Sequence, residues 1–220
     1  MVLFFGIQIL LTGCLLILFI LLFTLVEPLF IGLLPSLIIS VFSTYFSALF
    51  LLALLHKTAR IIMHNKEGEI EGIGLILWTI QATTLDIALT LTRKIMIHSP
   101  LPDVIYCLFG FKRRKGISIL TTLWDPDLLD IGENTLIGTG SIVSGHHIRN
   151  KKLYRKRVII GKNVTIGAYC VITPGVTIGD NTIVAMGSTV PANWKLDSNS
   201  LYSGVPVKKM KSFELKVDKG

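Results

Sequence analysis

The sequence has 220 residues, of which 51% are hydrophobic and only 16% are charged, and its formal net charge is +8. Because soluble domains of this size carry about 25% charged residues, the composition excludes one uniform soluble globule, a disordered chain and a disulfide-rich secreted domain. Residues 1–56 contain a single formal charge, Glu27, whereas residues 101–220 contain 17 basic and 9 acidic residues. We therefore expect membrane segments followed by a basic domain.

Two uncharged stretches at the start of the chain predict a transmembrane hairpin over residues 1–60. Residues 2–26 and 29–55 are almost wholly apolar, and each is long enough to cross a hydrocarbon core of about 30 Å. A cleaved signal peptide is the alternative for the first stretch, but the basic start of such a peptide is missing, since no Lys or Arg precedes Lys57. Lys57 and Arg60 follow the second stretch, so we expect a multi-pass protein whose remaining domain is cytosolic.

Residues 61–116 predict a helical juxtamembrane linker. Apolar residues recur at steps of three and four from Leu75 to Leu89, which indicates an amphipathic helix. This helix either lies along the membrane headgroups or packs as an ordinary helix on the following domain. The basic run 112–115 is suited to anionic lipid, and a solvated turn is the alternative.

A six-residue period begins near Leu129 and predicts a parallel β-helix. Each repeat starts with a large aliphatic residue, and a small or β-branched residue follows four places later. The large residues are Ile131, Ile137, Val143, Ile160, Ile166, Ile172, Ile178, Val184 and Val190. The small ones are Thr135, Ser141, Val164, Cys170, Val176, Thr182 and Ser188. Both sets should point into a coil with three short strands per turn, which makes Cys170 a core residue and not a nucleophile.

The period breaks once, and the break contains the best candidate for a functional site. The step from Val143 to Ile160 falls one short of a multiple of six, so the phase of the repeat is lost between them. We interpret residues 144–157 as an irregular loop. It carries His146, His147 and six basic residues but no acidic residue.

At these residues the chain resembles a known family. Residues 117–211 resemble the left-handed parallel β-helix acyltransferases that use acetyl-CoA or another acyl-CoA. The resemblance rests on the Ile-Gly repeats, the histidine loop, and segments 172–180, 186–190 and 202–209. Residues 71–148 look like the membrane-associated β-helix modules at the end of poly-lysine-type peptide synthetases. This second resemblance rests on the run 124–132 and the Ser-Gly-His at 144–146. Val207 stands where the family usually has alanine, and two adjacent histidines stand where it usually has one.

The implied architecture is an N-terminal α-helical transmembrane hairpin, the linker, a C-terminal all-β left-handed parallel β-helix over 117–211 and a tail over 212–220. The implied reaction is direct attack of a hydroxyl or amine acceptor on the acyl-CoA thioester, with no metal. Such a reaction needs a general base and donors for the oxyanion, and histidine is suited to the first role.

Counting the repeat places His147 at an inward position and His146 at an outward corner. Counting back from Ile160 also places His146 where the family's histidine falls. We therefore predict His146 as the base, with His147 as the alternative, and in a third interpretation both only pack the loop. The N–H groups of Gly145 or Gly167 are candidates for the oxyanion site.

The resemblance also implies a CoA site and an assembly. Ala185, Gly187 and Ser188 would permit close approach of CoA, and Lys208 and Lys209 would meet its phosphates unless they belong to a solvated tail. The assembly is a homotrimer in which the histidine loop of one subunit faces the CoA groove of the next. A membrane location favours a small-molecule or lipid-linked acceptor.

Other functions fit the sequence less well. Metal-dependent carbonic-anhydrase-like enzymes require three histidines spread over neighbouring coils, and here the repeat region offers only two adjacent ones. A non-catalytic membrane scaffold that binds a protein partner or anionic lipid is the main alternative. Nucleic-acid binding is not expected, because the positive charge lies near a membrane and lacks interleaved aromatic residues.

Overall fold

The computed structural model describes residues 18, 21–22, 24–25, 33–63, 67–95, 101–150 and 152–213. Most of the first predicted membrane segment, the turn after it and most of the tail over 212–220 therefore lie outside the described residues. The chain divides into two compact units, residues 1–54 and residues 55–220. The candidate site belongs wholly to the second unit.

Three helices with defined bounds precede the repeats: α1 (Leu33–Met63), α2 (Ile73–Ile95) and α3 (Leu101–Leu108). Pro35–Met63 and Ile73–Thr92 are long and apolar enough to cross a membrane, a test that core helices and signal sequences also pass. Helix α1 ends in the second unit, where Ala59 and Met63 are buried.

Helix α2 has one buried face and an exposed side that carries both apolar and polar residues. Ala88 and Leu89 are at most 4% exposed, whereas Ile73 and Ile87 are 62% and 42% exposed. The predicted helix is present over these residues. One face packs within its unit, as the second interpretation expected. The exposed apolar residues are of the kind that a membrane surface accepts, so the membrane-surface interpretation stays a prediction.

Short strands and one 3₁₀ turn, Pro126–Leu128, complete the described structure. The strands are β1 (Gly68–Ile70), β2 (Ser118–Ile119), β3 (Thr122–Trp124), β4 (Leu129–Ile131), β5 (Leu136–Ile137), β6 (Ile142–Ser144), β7 (His146–Arg149), β8 (Lys152–Arg155), β9 (Val158–Ile160), β10 (Thr165–Ile166), β11 (Val171–Ile172), β12 (Thr177–Ile178), β13 (Ile183–Val184), β14 (Thr189–Val190), β15 (Lys195–Leu196), β16 (Ser200–Gly204) and β17 (Val207–Ser212).

Most strands form the three parallel faces of a triangular coil. The first face has the order β17-β16-β13-β10-β5-β2, with β17 antiparallel to β16; the second is β14-β11-β6-β3; the third is β15-β12-β9-β4. The predicted repeat is confirmed, because all the large aliphatic residues and all the small residues named above are at most 2% exposed. Stacking the coils buries a continuous apolar column that no single repeat could bury alone.

One corner of the coil carries an asparagine ladder. Asn134, Asn163, Asn181 and Asn199 all adopt a left-handed backbone with φ between 53° and 55°. Their amides are linked in series, with N···O distances of 3.3, 3.0 and 2.9 Å. Asparagine tolerates this conformation better than other side chains, and here it also joins successive coils.

The interruption after Val143 is a regular β-hairpin, so the predicted irregular loop was wrong. Val143 lies on the second face and Ile160 on the third, two faces that a single repeat normally connects, and the rest of the segment between them is an insertion. The chain pairs β7 with β8, and β1 joins β8 to give a three-stranded antiparallel sheet. This pairing satisfies backbone groups that an irregular loop would leave open.

Candidate active site

The hairpin directs the two adjacent histidines to opposite faces of its sheet. His146 lies opposite Arg155, and His147 lies opposite Tyr154. Directly opposed residues share a face, and neighbours along a strand do not. Counting hexads through the insertion was therefore misleading: His146 does not stand at an outward corner but on the same face as the fully buried Arg155.

His146 is held by a buried carboxylate. Its Nδ1 is hydrogen-bonded to Oδ2 of Asp125. The Ser144 hydroxyl is 3.3 Å from the same Nδ1 and donates to the backbone carbonyl of His146 at 2.8 Å. The imidazole side chain is 18% exposed and that of Asp125 only 5%. With the Nδ1–H donated to Asp125, the ring keeps a lone pair on Nε2, the arrangement that a general base requires.

Two tryptophans surround the His146 ring. The indole of Trp78 in helix α2 meets it edge-on, with ring centroids 4.7 Å apart, and Trp124 does the same at 6.3 Å. Trp78 also donates its Nε1–H to Oδ1 of Asp125 at 2.9 Å. Both oxygens of the carboxylate therefore have a donor, one from helix α2 and one from the hairpin.

Arg155 connects the hairpin to the segment that carries Asp125. Its Nη2 donates to both oxygens of Asp127, at 3.2 and 3.1 Å, and lies 3.6 Å from Oδ1 of Asp125. Asp127 is 2% exposed and Arg155 is completely buried. Buried charges persist only where they are paired and hydrogen-bonded, so this group ties strand β8 to the start of the coil.

The electrostatics keep Asp125 ionised. Burial favours the neutral acid, but the hydrogen bond and charge of His146, the charge of Arg155 and the indole N–H of Trp78 outweigh it. The net result is a pKa of Asp125 below its usual value. The residue also has a left-handed backbone, φ 56° and ψ 61°, which is uncommon outside glycine and is enriched at functional sites.

His147 lines a different space. Its ring stacks on Tyr154, with centroids 5.5 Å apart and planes 17° apart. It borders a pocket of about 460 Å³ that Lys156, Pro174 and Asn193 also line. Its Nδ1 is buried and finds no hydrogen-bond partner among the described residues. The structure thus brings only His146 of the two predicted histidines to an acidic partner.

The predicted CoA residues lie on the C-terminal coils, away from the hairpin in sequence. Gly187 is exposed with φ 68°, and a Cβ at this position would meet no atom within 4 Å. Ala185 is half-buried, whereas the hydroxyl of Ser188 is buried and accepts the Gly204 N–H at 3.2 Å. The Ser188 side chain therefore faces the coil interior, as its place in the repeat requires.

The two predicted lysines differ in their surroundings. Lys208 and Lys209 are both exposed on β17. Lys209 donates to Asp197 at 2.8 Å, and this hydrogen bond raises the pKa of Lys209 and lowers the pKa of Asp197. Both lysines are thus held on an ordered strand rather than in a loose tail.

The two glycines predicted for the oxyanion do not have a free N–H. Gly145 donates to the Trp124 carbonyl at 3.3 Å and Gly167 to the Val184 carbonyl at 2.8 Å. Both donors belong to the ladder of the coil, which removes them as candidates. Cys170 is buried, and burial raises the pKa of its thiol, in agreement with its predicted role in the core.

Sequence reasoning missed the partners of His146. Asp125 and Trp78 belong to earlier elements, and Arg155 belongs to the opposite strand of the hairpin. A signal was present in the run Trp124-Asp125-Pro126-Asp127, where two acidic residues stand between apolar neighbours. Within the described part of the chain, no three His, Cys, Asp or Glu side chains are grouped to hold a metal ion.

Comparison with known proteins agrees with this fold. Residues 157–192 match the family model described as bacterial transferase hexapeptide (six repeats). A stretch of 92 residues is 38% identical to the galactoside O-acetyltransferase of Escherichia coli K12, covering 39% of this chain and 44% of that protein. A stretch of 72 residues is 39% identical to the bifunctional protein GlmU of Staphylococcus epidermidis, covering 33% of this chain and 15% of that protein.

Among solved structures, a maltose O-acetyltransferase from Clostridium difficile 630 superposes with a TM-score of 0.51 at 20% identity, covering 63% of this chain and 89% of that one. The chain thus spans less than half the length of the two curated relatives, and the structural likeness concerns the fold. Together, the buried six-residue repeat and the three parallel faces show a left-handed parallel β-helix fold, and residues 157–192 are similar to the hexapeptide repeats of bacterial transferases.

Proposed function

We propose that the protein is a membrane-anchored O-acyltransferase that transfers an acyl group, chiefly acetyl, from acyl-CoA to a hydroxyl acceptor at the cytosolic face. The observation that carries the proposal is the hydrogen bond between His146 Nδ1 and the buried Asp125 carboxylate. A histidine oriented in this way is a base for a hydroxyl group whose own pKa is far too high for it to ionise at neutral pH.

The chemistry needs no covalent enzyme intermediate. Nε2 of His146 accepts the proton of the acceptor hydroxyl as its oxygen attacks the thioester carbonyl. The resulting imidazolium is stabilised by Asp125, which remains ionised. When the tetrahedral intermediate collapses, the C–S bond breaks, and the proton passes from His146 to the departing CoA sulfur. The products are the ester of the acceptor and free CoA.

The name of a relative supports the type of reaction, and the surface of the coil supports acyl-CoA as the donor. The Escherichia coli relative is named as a galactoside O-acetyltransferase, which favours oxygen over nitrogen as the attacking atom and a sugar-like acceptor. Ala185 and the exposed Gly187 leave room for CoA on the coil surface, and Lys208 and Lys209 supply positive charge for its phosphates.

Anchoring and assembly are part of the proposal. Helix α1 supplies an apolar segment long enough to span a bilayer, and the basic residues at 57 and 60 favour a cytosolic catalytic domain. A homotrimer would place the hairpin of one subunit against the CoA groove of the next. The membrane-associated branch suggested by residues 71–148 remains a prediction, and it favours a lipid-linked acceptor.

The decisive experiment uses the full-length protein in detergent or nanodiscs. Release of CoA from acetyl-CoA is measured with a panel of sugars and lipid-linked sugars, for the wild type, His146→Gln and His147→Gln. We expect His146→Gln to lower kcat by at least about a hundredfold, while His147→Gln retains most activity. If the wild type neither binds acetyl-CoA nor releases CoA with any acceptor, the enzyme hypothesis fails and the membrane scaffold remains. If only His147→Gln is inactive, the assignment of His146 as the base is wrong.

A further inference from the structure

The acidic partner of His146 is itself held by a residue from outside the repeat domain. Asp125 lies just after strand β3, and His146 lies on the hairpin inserted into the coil, so both belong to the β-helix. Trp78 belongs to helix α2, 47 residues before Asp125. Its Nε1 nevertheless lies 2.9 Å from Asp125 Oδ1, the oxygen that His146 does not use.

The position of the indole restricts both members of the pair. A carboxylate with a single donor can rotate about its Cβ–Cγ bond, whereas donors on both oxygens fix its plane. The Trp78 ring also stands edge-on to the imidazole at 4.7 Å and 66°, so it occupies the space into which the imidazole would turn. The charged groups around Asp125 are His146 on the hairpin, Arg155 on β8 and Asp127 on the adjoining turn.

We infer that Trp78 is a positioning residue for the proposed acyl transfer: helix α2 holds the Asp125 carboxylate so that its other oxygen faces Nδ1 of His146. The inference rests on the proposed function and adds to it that the site is incomplete without a helix outside the repeats. Helix α2 also carries two exposed apolar side chains, Ile73 and Leu75, about one turn before Trp78. The same helix thus contributes exposed apolar residues and a contact to the His146 site.

The test is the substitution Trp78→Phe in the full-length protein, which removes the N–H donor and keeps an aromatic ring. Trp194→Phe is the matched control, because Trp194 is 41% exposed on the coil and loses the same group. A hydrogen bond to a charged group is worth enough to change a rate by about 10- to 100-fold. We therefore expect Trp78→Phe to lower kcat about tenfold or more, with less than a twofold change in KM for acetyl-CoA.

The pH profile separates positioning from a general loss of structure. In Trp78→Phe the acidic limb of kcat/KM should move to higher pH, because a carboxylate that has lost a donor attracts the imidazolium proton more strongly. If His146→Gln is inactive but Trp78→Phe has the kcat and the pH profile of the wild type, the inference is overturned and the proposed function is left intact. If His146→Gln is fully active, the assignment of His146 as the base is wrong and the role of Trp78 fails with it, whereas the proposed function itself fails only if the wild type neither binds acetyl-CoA nor releases CoA.

A second measurement tests the inference even if the Trp78→Phe protein does not fold. The chain has three tryptophans, so 5-fluorotryptophan labelling gives three ¹⁹F resonances, assigned with Trp194→Phe and Trp124→Phe. We expect the Trp78 resonance to move with pH at the midpoint of the acidic limb in the wild type and to move less in Asp125→Asn, where the indole senses His146 only through the ring contact. A Trp78 resonance that ignores pH in the active wild type contradicts the inference.

Discussion

Arg155 and Asp127 form a doubly hydrogen-bonded ion pair in which the guanidinium is completely buried and the carboxylate is 2% exposed. The pair joins the second strand of the histidine hairpin to the first coil of the β-helix. Without such contacts the inserted hairpin would be attached to the coil only at its two ends. The position of His146 therefore depends on this pair as well as on Asp125.

Replacing Arg155 by methionine should strongly destabilise the second unit. Removing one partner of a buried ion pair leaves an uncompensated charge and typically costs about 3–5 kcal/mol. We expect that loss in the free energy of unfolding from denaturant titration. Arg149→Met, on the exposed part of the same hairpin, is the control and should change stability by less than about 0.5 kcal/mol. Equal stability of the two variants would show that the pair does not hold the hairpin.

Replacing Asp125 by asparagine should change how stability depends on pH. The pKa of Asp125 in the folded protein lies below its usual value, and the unfolded carboxyl titrates near about 3.9. A lowered folded pKa contributes stability that is fully present above the unfolded pKa and is lost as pH falls through the folded pKa. The free energy of unfolding of the wild type should therefore exceed that of Asp125→Asn most clearly above about pH 5. The difference between the two proteins should become smaller in acid.

Thermal unfolding of both proteins from neutral pH into acid measures this difference. Asp130→Asn is the control, because that carboxylate is 38% exposed and its pair with Arg114 is at the surface, where ion pairs contribute little. A gap that widens as the pH falls would contradict the assignment of Asp125 as an ionised, stabilised group.

The asparagine ladder gives a test of the coil itself. Asn181→Ala removes amide hydrogen bonds to both neighbouring coils and places alanine at φ 55°. We expect a loss of about 1–3 kcal/mol in the free energy of unfolding. Asn181→Gly keeps the backbone conformation accessible and should recover part of that loss. If glycine is no better than alanine, the left-handed backbone is not the source of the cost.

The lysines of strand β17 should affect the binding of acetyl-CoA and not the rate of acyl transfer. The double substitution Lys208→Gln and Lys209→Gln should raise KM for acetyl-CoA several-fold and leave kcat within a factor of about two, because a phosphate contact acts mainly through binding. The KM difference should shrink as salt increases, since exposed charges are screened. Lys195→Gln, exposed on another face of the coil, is the control. A fall in kcat without a change in KM would argue against a role in CoA binding.

The β-helix could be predicted from the sequence because its period is local. Each large aliphatic residue from Ile131 to Val190 and each small residue four places later was assigned to the interior, and all are buried. Every repeat makes the same contacts with its neighbours, so one repeat carries enough information to place the next. Helix α2 could be predicted for the same reason, because its apolar residues recur at steps of three and four.

The site could be predicted only in part. The sequence drew attention to His146 and His147, but the hexads were counted through an insertion that does not follow them. Only the antiparallel pairing of β7 with β8 decided that His146 shares a face with Arg155 and that His147 stacks on Tyr154. Such pairing depends on contacts across the hairpin and with β1, which precedes helix α2 and lies far from the hairpin along the chain.

The sequence alone thus determined a coil of hexapeptide repeats, its interior residues and the apolar character of the N-terminal segment, because periodicity and composition are properties of neighbouring residues. The tertiary structure alone decided which histidine has an acidic partner. Trp78, Asp125 and His146 come together only because helix α2 packs where the first coil meets the hairpin. No spacing in the sequence predicts that contact, because its free energy arises from burial and hydrogen bonding between segments that are distant along the chain.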